Sequence, residues 1–525
     1  MPHALPNHRA ARIVLSALFC AALALPGLLA WIAPPDAASV EREFRRPAPK
    51  PQTPRSLESA LAWPRAFDAW FSDHYGLRAQ LIRWNNALRL LVLGESPTSE
   101  IVAGPGPSLF TTRDRAVDVF RGADPFSERE LALWTQVLAD RRAWCEARGV
   151  KYGFAIAPNK ESIYPERFPA RFDKIGPTRR EQLLAHLSAR ADAQVLDLTD
   201  AVRASREEFA AQGDVYFPLG THWNDYGAFA AYRALLGHVG ELVPGVRPRS
   251  VDEFEFAPTD FQDDTWAGRL YLEDLLVQPN VELRPRFASG LDEQFHKNLK
   301  AIALDAQHRD SSLPRAVVFH DSMGEKLRPL LAEHFSRCVF RWESDFDTAL
   351  IERERPDVVI QVFVERALAA FSLSTSPLDT QERCAQEFAA SSQVLLRGLQ
   401  ALEPDRSNSE RVDRLQAHGA GGYELAYAGG GLLLPEFDVP PGTWPVLRVE
   451  FDAPADGAAL LEFKTARFAE YSRRARGVQR PVRAGANVLY FKLRVPALQG
   501  RLRLHPGLAA GVYVLRDLEV RAVSE

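Results

Sequence analysis

The sequence predicts an α/β protein. A mostly parallel sheet with helices on both faces is followed by a C-terminal antiparallel β-sandwich and preceded by an N-terminal transmembrane helix. Three observations lead there. From about residue 125 to 370, short apolar runs alternate with segments of helical period. Beyond residue 404 the period becomes that of strands, broken by Gly, Pro and Asp turns. Near the start, an uncharged stretch runs from Ile13 to Pro35.

With 525 residues, 46 % hydrophobic and 25 % charged, the chain is long enough for several cored domains. A formal charge of -4 argues against a dedicated nucleic-acid binder, which would carry a marked basic excess. No nucleic-acid partner is expected.

The uncharged stretch is long enough to cross a bilayer. His3, His8, Arg9 and Arg12 precede it, so the positive flank stays cytoplasmic and the rest of the chain is exported. A cleaved signal peptide competes with an uncleaved anchor over residues 1–35. The absence of a clean A-x-A site after Leu28 to Ala33 favours the anchor. Cys20 lies in the apolar run, leaving Cys145, Cys338 and Cys384, which allow one internal disulfide or a reduced trio.

Residues 36–57, rich in Pro, Ala, Arg and Glu, read as a linker. Residues 58–403 read as the α/β domain. It opens with amphipathic helices around Phe67–Phe71 and Ala79–Leu93, and a strand and tight turn over Ile101–Phe110. Helix Glu128–Arg148, strand Tyr152–Ala157, helix Thr178–Arg190 and strand Gln194–Leu198 follow. An irregular insertion, Gly240–Pro314, precedes strand Arg315–His320, helix Glu325–Phe335, strand Arg337–Trp342, a helix through Leu350 and strand Asp357–Val364. A helix over Leu378–Leu402 closes the domain. Residues 404–525 read as the sandwich, with strands at Val446–Phe451, Ala459–Lys464, Asn487–Arg494, Arg501–His505 and Gly511–Val523.

Working residues gather at the carboxyl ends of parallel strands. Two segments fit that rule. In Gly220-Thr221-His222-Trp223-Asn224-Asp225-Tyr226-Gly227-Ala228 a loop becomes a helix, with Asn224 as N-cap and Phe229, Tyr232 and Leu236 at one-face spacing. In Ala316-Val317-Val318-Phe319-His320-Asp321-Ser322-Met323-Gly324 a buried strand runs into a small-residue turn and a helix. Ser322 there lies near helix N–H groups able to hold an oxyanion, and His222 is the natural base for it. The structural alternatives are a plain N-cap for Ser322 and a loop staple for His222 with Trp223.

These residues resemble a known family. Asp321-Ser322 at a strand end is similar to the Asp-Ser of SGNH hydrolases, and Thr221-His222-Trp223-Asn224 with Gly227-Ala228 resembles the D-T-H-W-x-x-x-G-A signature of the AlgX/AlgJ family. Gly104-x-Gly106-x-x-Leu109-Phe110, Ala157-Pro158-Asn159-Lys160 before Tyr164-Pro165, and Pro356-Asp357-Val358-Val359-Ile360 add to the likeness over about residues 60–370. The resemblance implies an SGNH-hydrolase-like fold and O-acetylation of an exopolysaccharide, alginate-like or other, in the periplasm. It also implies an inner-membrane location and acetyl supplied by a membrane-bound O-acyltransferase. Ser322 would carry the acetyl group and His222 would act as base, with Asn159 and Lys160 in the oxyanion or cleft region. No cofactor is implied, and no His/Cys cluster has metal-ligand spacing.

One departure matters. The family's aspartate two residues before the histidine is replaced by Gly220. That carboxylate fixes the imidazole tautomer and stabilises the imidazolium. Asp225, Asp214 or a backbone carbonyl are the available substitutes, Asp225 first among them; its structural alternative is a helix first-turn acid. Impaired activity is the fourth outcome. An acetylesterase on the same scaffold, or a polysaccharide-binding scaffold protein, remain as alternatives to the transferase.

In the sandwich, Arg467, Tyr471, Arg473, Arg474, Arg476, Arg480 and Arg483 cluster between two expected strands. Tyr471, Arg473, Arg474 and Arg476 are the candidates to hold a polysaccharide, against a solvated basic loop. Trp444 suits either a core or a sugar platform.

Overall fold

The computed structural model describes residues 9–32, 47–370, 375–405, 415–418, 422–427, 431–471, 476–496, 498–507 and 511–525. The apolar N-terminal stretch is a helix, Arg9–Ile32, whose segment Arg12–Leu29 is long and apolar enough to cross a membrane. A signal sequence meets the same test.

The chain divides into two compact units. The first combines residues 1–111, 217–221 and 260–280. Ser56 caps helix Leu57–His74 by a reciprocal bond with Ser59. Helix Arg78–Ala87 runs into a π-helical turn at Leu88–Val92. Strands Ile101–Ala103 and Leu109–Thr111 pair antiparallel across the expected tight turn. Their apolar faces join Leu219, Trp266, Leu270 and Leu272 in one core.

The second unit holds the main sheet. Its strands are β1 (Lys151–Ala157), β2 (Leu196–Asp197), β3 (Ala303–Gln307), β4 (Arg315–His320), β5 (Arg337–Arg341) and β6 (Val358–Val364), in the order β2-β1-β6-β4-β5-β3. All neighbours are parallel except β3, which runs antiparallel on β5 at the edge. Every residue of β6 is buried, Gln361 included, as in a strand covered on both faces. The register aligns Val364 with Ala157 and Val362 with His320, so the residues that follow β1, β4 and β6 emerge along one carboxyl edge. Helices Glu128–Glu146 and Arg179–Leu187 begin at Ser127 and Thr178 in capping boxes with Glu130 and Glu181.

Some expected elements come out differently. The segment read as one helix over Leu378–Leu402 is a shorter helix, Gln381–Ala390, then a strand, Val394–Arg397, that pairs with Gly511–Ser524 in the sandwich. The sandwich therefore draws a strand from upstream of residue 404. The helix expected over Glu325–Phe335 is a 3-10 turn, Ser322–Leu327, continuing as helix Arg328–Ala332.

In the sandwich, one sheet contains Leu415–His418, Gly422–Tyr427, Gly511–Ser524, Thr443–Ala453 and Gly485–Lys492. The other contains Glu403–Pro404, Leu432–Leu433, Arg503–His505, Gly457–Glu462 and Gly477–Val482. Leu447, Phe451, Leu461, Phe463, Phe491 and Leu504 share its core. Ion pairs tie it to the α/β body. Arg494 forks onto Asp379 with both bonds at 2.7 Å, and Arg467 reaches Asp124 at 2.6 Å and Glu130 at 2.5 Å.

The four cysteines are free. Burial raises the thiols of Cys145, to about 12, and Cys384, to about 11. They behave as small apolar residues.

Candidate active site

His222 and Ser322, 100 residues apart in sequence, meet: His222 Nε2 is 2.7 Å from Ser322 Oγ. Each is placed by its neighbours. Asn224 caps helix Asp225–Leu242, its Oδ1 accepting from the N–H groups of Tyr226 and Gly227 while its Nδ2 donates to the Asp214 carbonyl. A side chain at Gly227 would run into the Val215 carbonyl and the Trp223 side chain, so only glycine lets the helix start this close to the loop. Trp223 is 1 % exposed and donates its indole N–H to the Met323 carbonyl at 3.1 Å.

On the serine side, Asp321 ends β4. Its carboxylate accepts from the Met323 N–H at 2.9 Å and the Val364 N–H at 2.7 Å, pinning the serine turn to the end of β6. Burial pushes this carboxyl above its ordinary value. His320 lies beneath. Arg328 Nε donates to its Nε2, so the ring proton sits on Nδ1 and is donated to the Asp321 carbonyl at 2.6 Å. Burial, with the Arg328 cation next, lowers the His320 pKa to about 3 and keeps the ring neutral. Gly324 is required beside it, because a Cβ there would overlap the imidazole.

Two of the helix N–H groups at this turn are engaged with Asp321. Met323 N–H goes to the Asp321 carboxylate and Gly324 N–H to the Asp321 carbonyl. Asn159, 1 % exposed at the end of β1, keeps a buried Nδ2 with no hydrogen-bond partner, while its Oδ1 accepts from the Arg366 backbone and guanidinium at 3.4 Å. Lys160 is 4 % exposed, so it is not the surface charge its type suggests. Ser322 opens onto a cavity of about 180 Å³ lined also by Asp114, Asp321, Trp342, Phe363 and Arg366. Asp114 and Arg366 were not singled out in the sequence. The signal for Arg366 was its place two residues after an apolar strand, at the edge where functional groups collect.

Asp225 has another task than the one expected. Its oxygens accept from Lys326 Nζ and the Leu283 N–H, both at 2.8 Å, and not from His222. Asp214 is likewise engaged in a two-pronged bond with Arg167 at 2.6 and 2.7 Å.

In the first unit, the segment leading into His222 carries a further carboxylate. The Thr221 N–H donates to Asp264 Oδ2 at 2.6 Å. A Cβ at Gly220 would fall on the carbonyl and carboxylate of Asp264.

The sandwich candidates are held internally. Tyr471 donates its hydroxyl to the Arg501 carbonyl at 2.7 Å, and Arg503 and Lys464 lie over its ring. Arg476 is buried over Phe468 and donates to the carbonyls of Glu470 and Ala370. Both residues are thus engaged with groups of the protein itself. Arg473 and Arg474 lie outside the described residues. Trp444 is buried beneath the Arg129 guanidinium, which makes it a core residue.

A strand-end serine bonded to a loop histidine on a mixed, mainly parallel sheet defines an SGNH-hydrolase-like α/β protein. The family model for the SGNH hydrolase-like domain of the acetyltransferase AlgX matches residues 108–270, a stretch that takes in His222 and ends before Ser322. Over that stretch the chain is similar to the AlgX/AlgJ acetyltransferases.

Among solved structures it is similar to AlgX of Pseudomonas aeruginosa, with 14 % identity over 83 % of this chain and 96 % of that one and a TM-score of 0.38. The O-acetyltransferase domain of Pseudomonas putida AlgJ gives 19 % identity over 55 % and 97 %, TM-score 0.35. PatB1 of Bacillus cereus bearing a sulfonyl adduct gives 16 % over 46 % and 90 %, TM-score 0.35. No curated protein sequence matches the chain.

Proposed function

We propose that this protein is a polysaccharide O-acetyltransferase that passes an acetyl group through Ser322 to a sugar hydroxyl. The observation that carries the reading is the 2.7 Å bond between His222 Nε2 and Ser322 Oγ at the carboxyl edge of the sheet. A hydroxyl is a weak nucleophile until a base accepts its proton, and the imidazole stands where it can do so.

In the first half-reaction Ser322 Oγ bonds to the carbonyl carbon of an acetyl ester as His222 Nε2 takes the hydroxyl proton. The donor's C–O bond then breaks, and its alcohol leaves with that proton. In the second, a sugar hydroxyl attacks the acetyl-serine, His222 takes its proton, and Ser322 Oγ departs and recovers it. The buried, unpartnered Nδ2 of Asn159 is the side-chain donor we assign to the carbonyl oxygen as it becomes an oxyanion. A cavity of about 180 Å³ suits a small acyl group, being below the roughly 300 Å³ at which pockets for larger ligands begin.

In this reading the N-terminal helix holds the body at the periplasmic face of the inner membrane, and a membrane-bound O-acyltransferase supplies acetyl. The test is to incubate the full chain with 4-nitrophenyl acetate, with and without oligosaccharides. Acetylated oligosaccharide supports the transferase; acetate released at the same rate whether or not a sugar is present identifies an esterase instead.

A further inference from the structure

Ser322 opens onto its cavity where β4 and β6 end, and the first charged group beyond β6 on that wall is a guanidinium. We propose that Arg366 is a catalytic residue: beside Asn159, it donates a second side-chain hydrogen bond to the acyl carbonyl oxygen as that atom becomes an oxyanion. The inference rests on the reading of Ser322 as the nucleophile, and every residue in it belongs to the second unit.

Topology brings the two residues together. The Asp321 carboxylate accepts the Val364 N–H at 2.7 Å, so Ser322 and Arg366 follow one and two residues beyond a common bond, and both line the cavity of about 180 Å³. Arg366 is 8 % exposed, yet its Nε is buried and has no hydrogen-bond partner. Asp114, also in the cavity wall, comes within 3.7 Å of that nitrogen, close enough to share charge but too far to accept its hydrogen. The other side of the guanidinium is held: Nη1 and the Arg366 backbone N–H both donate to Asn159 Oδ1 at 3.4 Å. Arg366 and Asn159 are thereby fixed as a pair, and each keeps one buried donor unused, Nε and Nδ2. Burying a donor without a partner is costly, and a catalytic role accounts for keeping it.

The serine turn explains why side chains are needed. Met323 and Gly324 spend their N–H groups on Asp321. A guanidinium is a permanent cation, suited to negative charge that develops in a small, shielded cavity. When Ser322 Oγ bonds to the carbonyl carbon, the C=O π pair moves onto oxygen, where Arg366 and Asn159 donate to it. The pair then returns to re-form C=O as the donor's C–O bond breaks, and the alcohol leaves with the proton held by His222.

The test uses the full-length protein in detergent and 4-nitrophenyl acetate, with release of 4-nitrophenolate measured against Ser322→Ala. Arg366→Met keeps the stem and removes every donor; it lowers kcat by on the order of 10²–10³-fold with KM and melting temperature little changed. Arg366→Ala is equally slow, and added guanidinium chloride, far below denaturing concentration, accelerates it while equimolar sodium chloride does not. A wild-type rate in Arg366→Met, or no acceleration of Arg366→Ala by guanidinium, overturns the proposal and leaves the nucleophile reading intact. A wild type no faster than Ser322→Ala defeats the nucleophile reading and this inference with it.

Discussion

Trp223 donates its indole N–H to the Met323 carbonyl, one residue beyond each member of the His222–Ser322 pair. Asp225, two residues beyond Trp223, meets Lys326, three residues beyond Met323. The loop before helix Asp225–Leu242 and the turn after β4 are therefore held together by three successive bonds, and the imidazole and hydroxyl are set by this seam.

Trp223→Phe keeps the ring and removes the donor. The Met323 carbonyl then lies buried without its partner, a loss of about 1–3 kcal/mol. Urea denaturation should show that loss, together with slower acetyl transfer, because the bond that sets the serine turn is gone. Unchanged stability and rate would show that the indole only fills space.

The Asp225–Lys326 pair is largely shielded, with side chains 14 % and 22 % exposed. Removing either charge leaves the other poorly solvated. Asp225→Asn and Lys326→Met should each lower the transfer rate with little change in KM, and a double-mutant cycle should return a coupling of about 1–3 kcal/mol. Additive effects would mean that the pair does not act as one clamp.

Much of this was legible in the sequence, and the failures have physical causes. The run Val358–Val364, apolar except for Gln361, read as a buried strand, and the cap at Asn224 marked a helix start. The edge strand Ala303–Gln307 alternates exposed and buried inside a polar insertion, so it read as irregular. Gly477–Val482 was hidden by its arginine-rich surroundings and Pro481. Val394–Arg397 was absorbed into the preceding helix because its apolar residues extend that helix's pattern. Asp225 was chosen for nearness in sequence, but its carboxylate is captured by Lys326, 101 residues away.

His320 makes stability depend on pH. In the unfolded chain it protonates below about pH 6.5, and in the folded protein only near 3, because burial disfavours the charge. Between those values the unfolded state binds more protons, so stability falls as pH drops from 6.5 toward 3; above 6.5 His320 has no effect. His334, lowered to about 4 by burial and then by Arg249, adds to the same slope. Urea midpoints measured from pH 7 to 4 should fall less steeply in His320→Gln than in the wild type. Parallel slopes would contradict a neutral His320.

Asn159→Ala removes the donor assigned to the oxyanion. The acetylation rate should fall by on the order of 10²–10³-fold. Labelling of Ser322 by a sulfonyl fluoride should still occur, since the nucleophile and base are untouched. Full activity in this variant would move the oxyanion contact elsewhere.

The central claim is that Ser322 carries the acetyl group, and intact-protein and peptide mass spectrometry after a short exposure to 4-nitrophenyl acetate tests it most directly. The account predicts one acetyl group on the peptide containing Ser322 in the wild type, its disappearance when an acceptor oligosaccharide is added, and none at that peptide in Ser322→Ala. A wild type that acetylates oligosaccharide with no adduct at Ser322, or a Ser322→Ala variant that transfers at the wild-type rate, would contradict it.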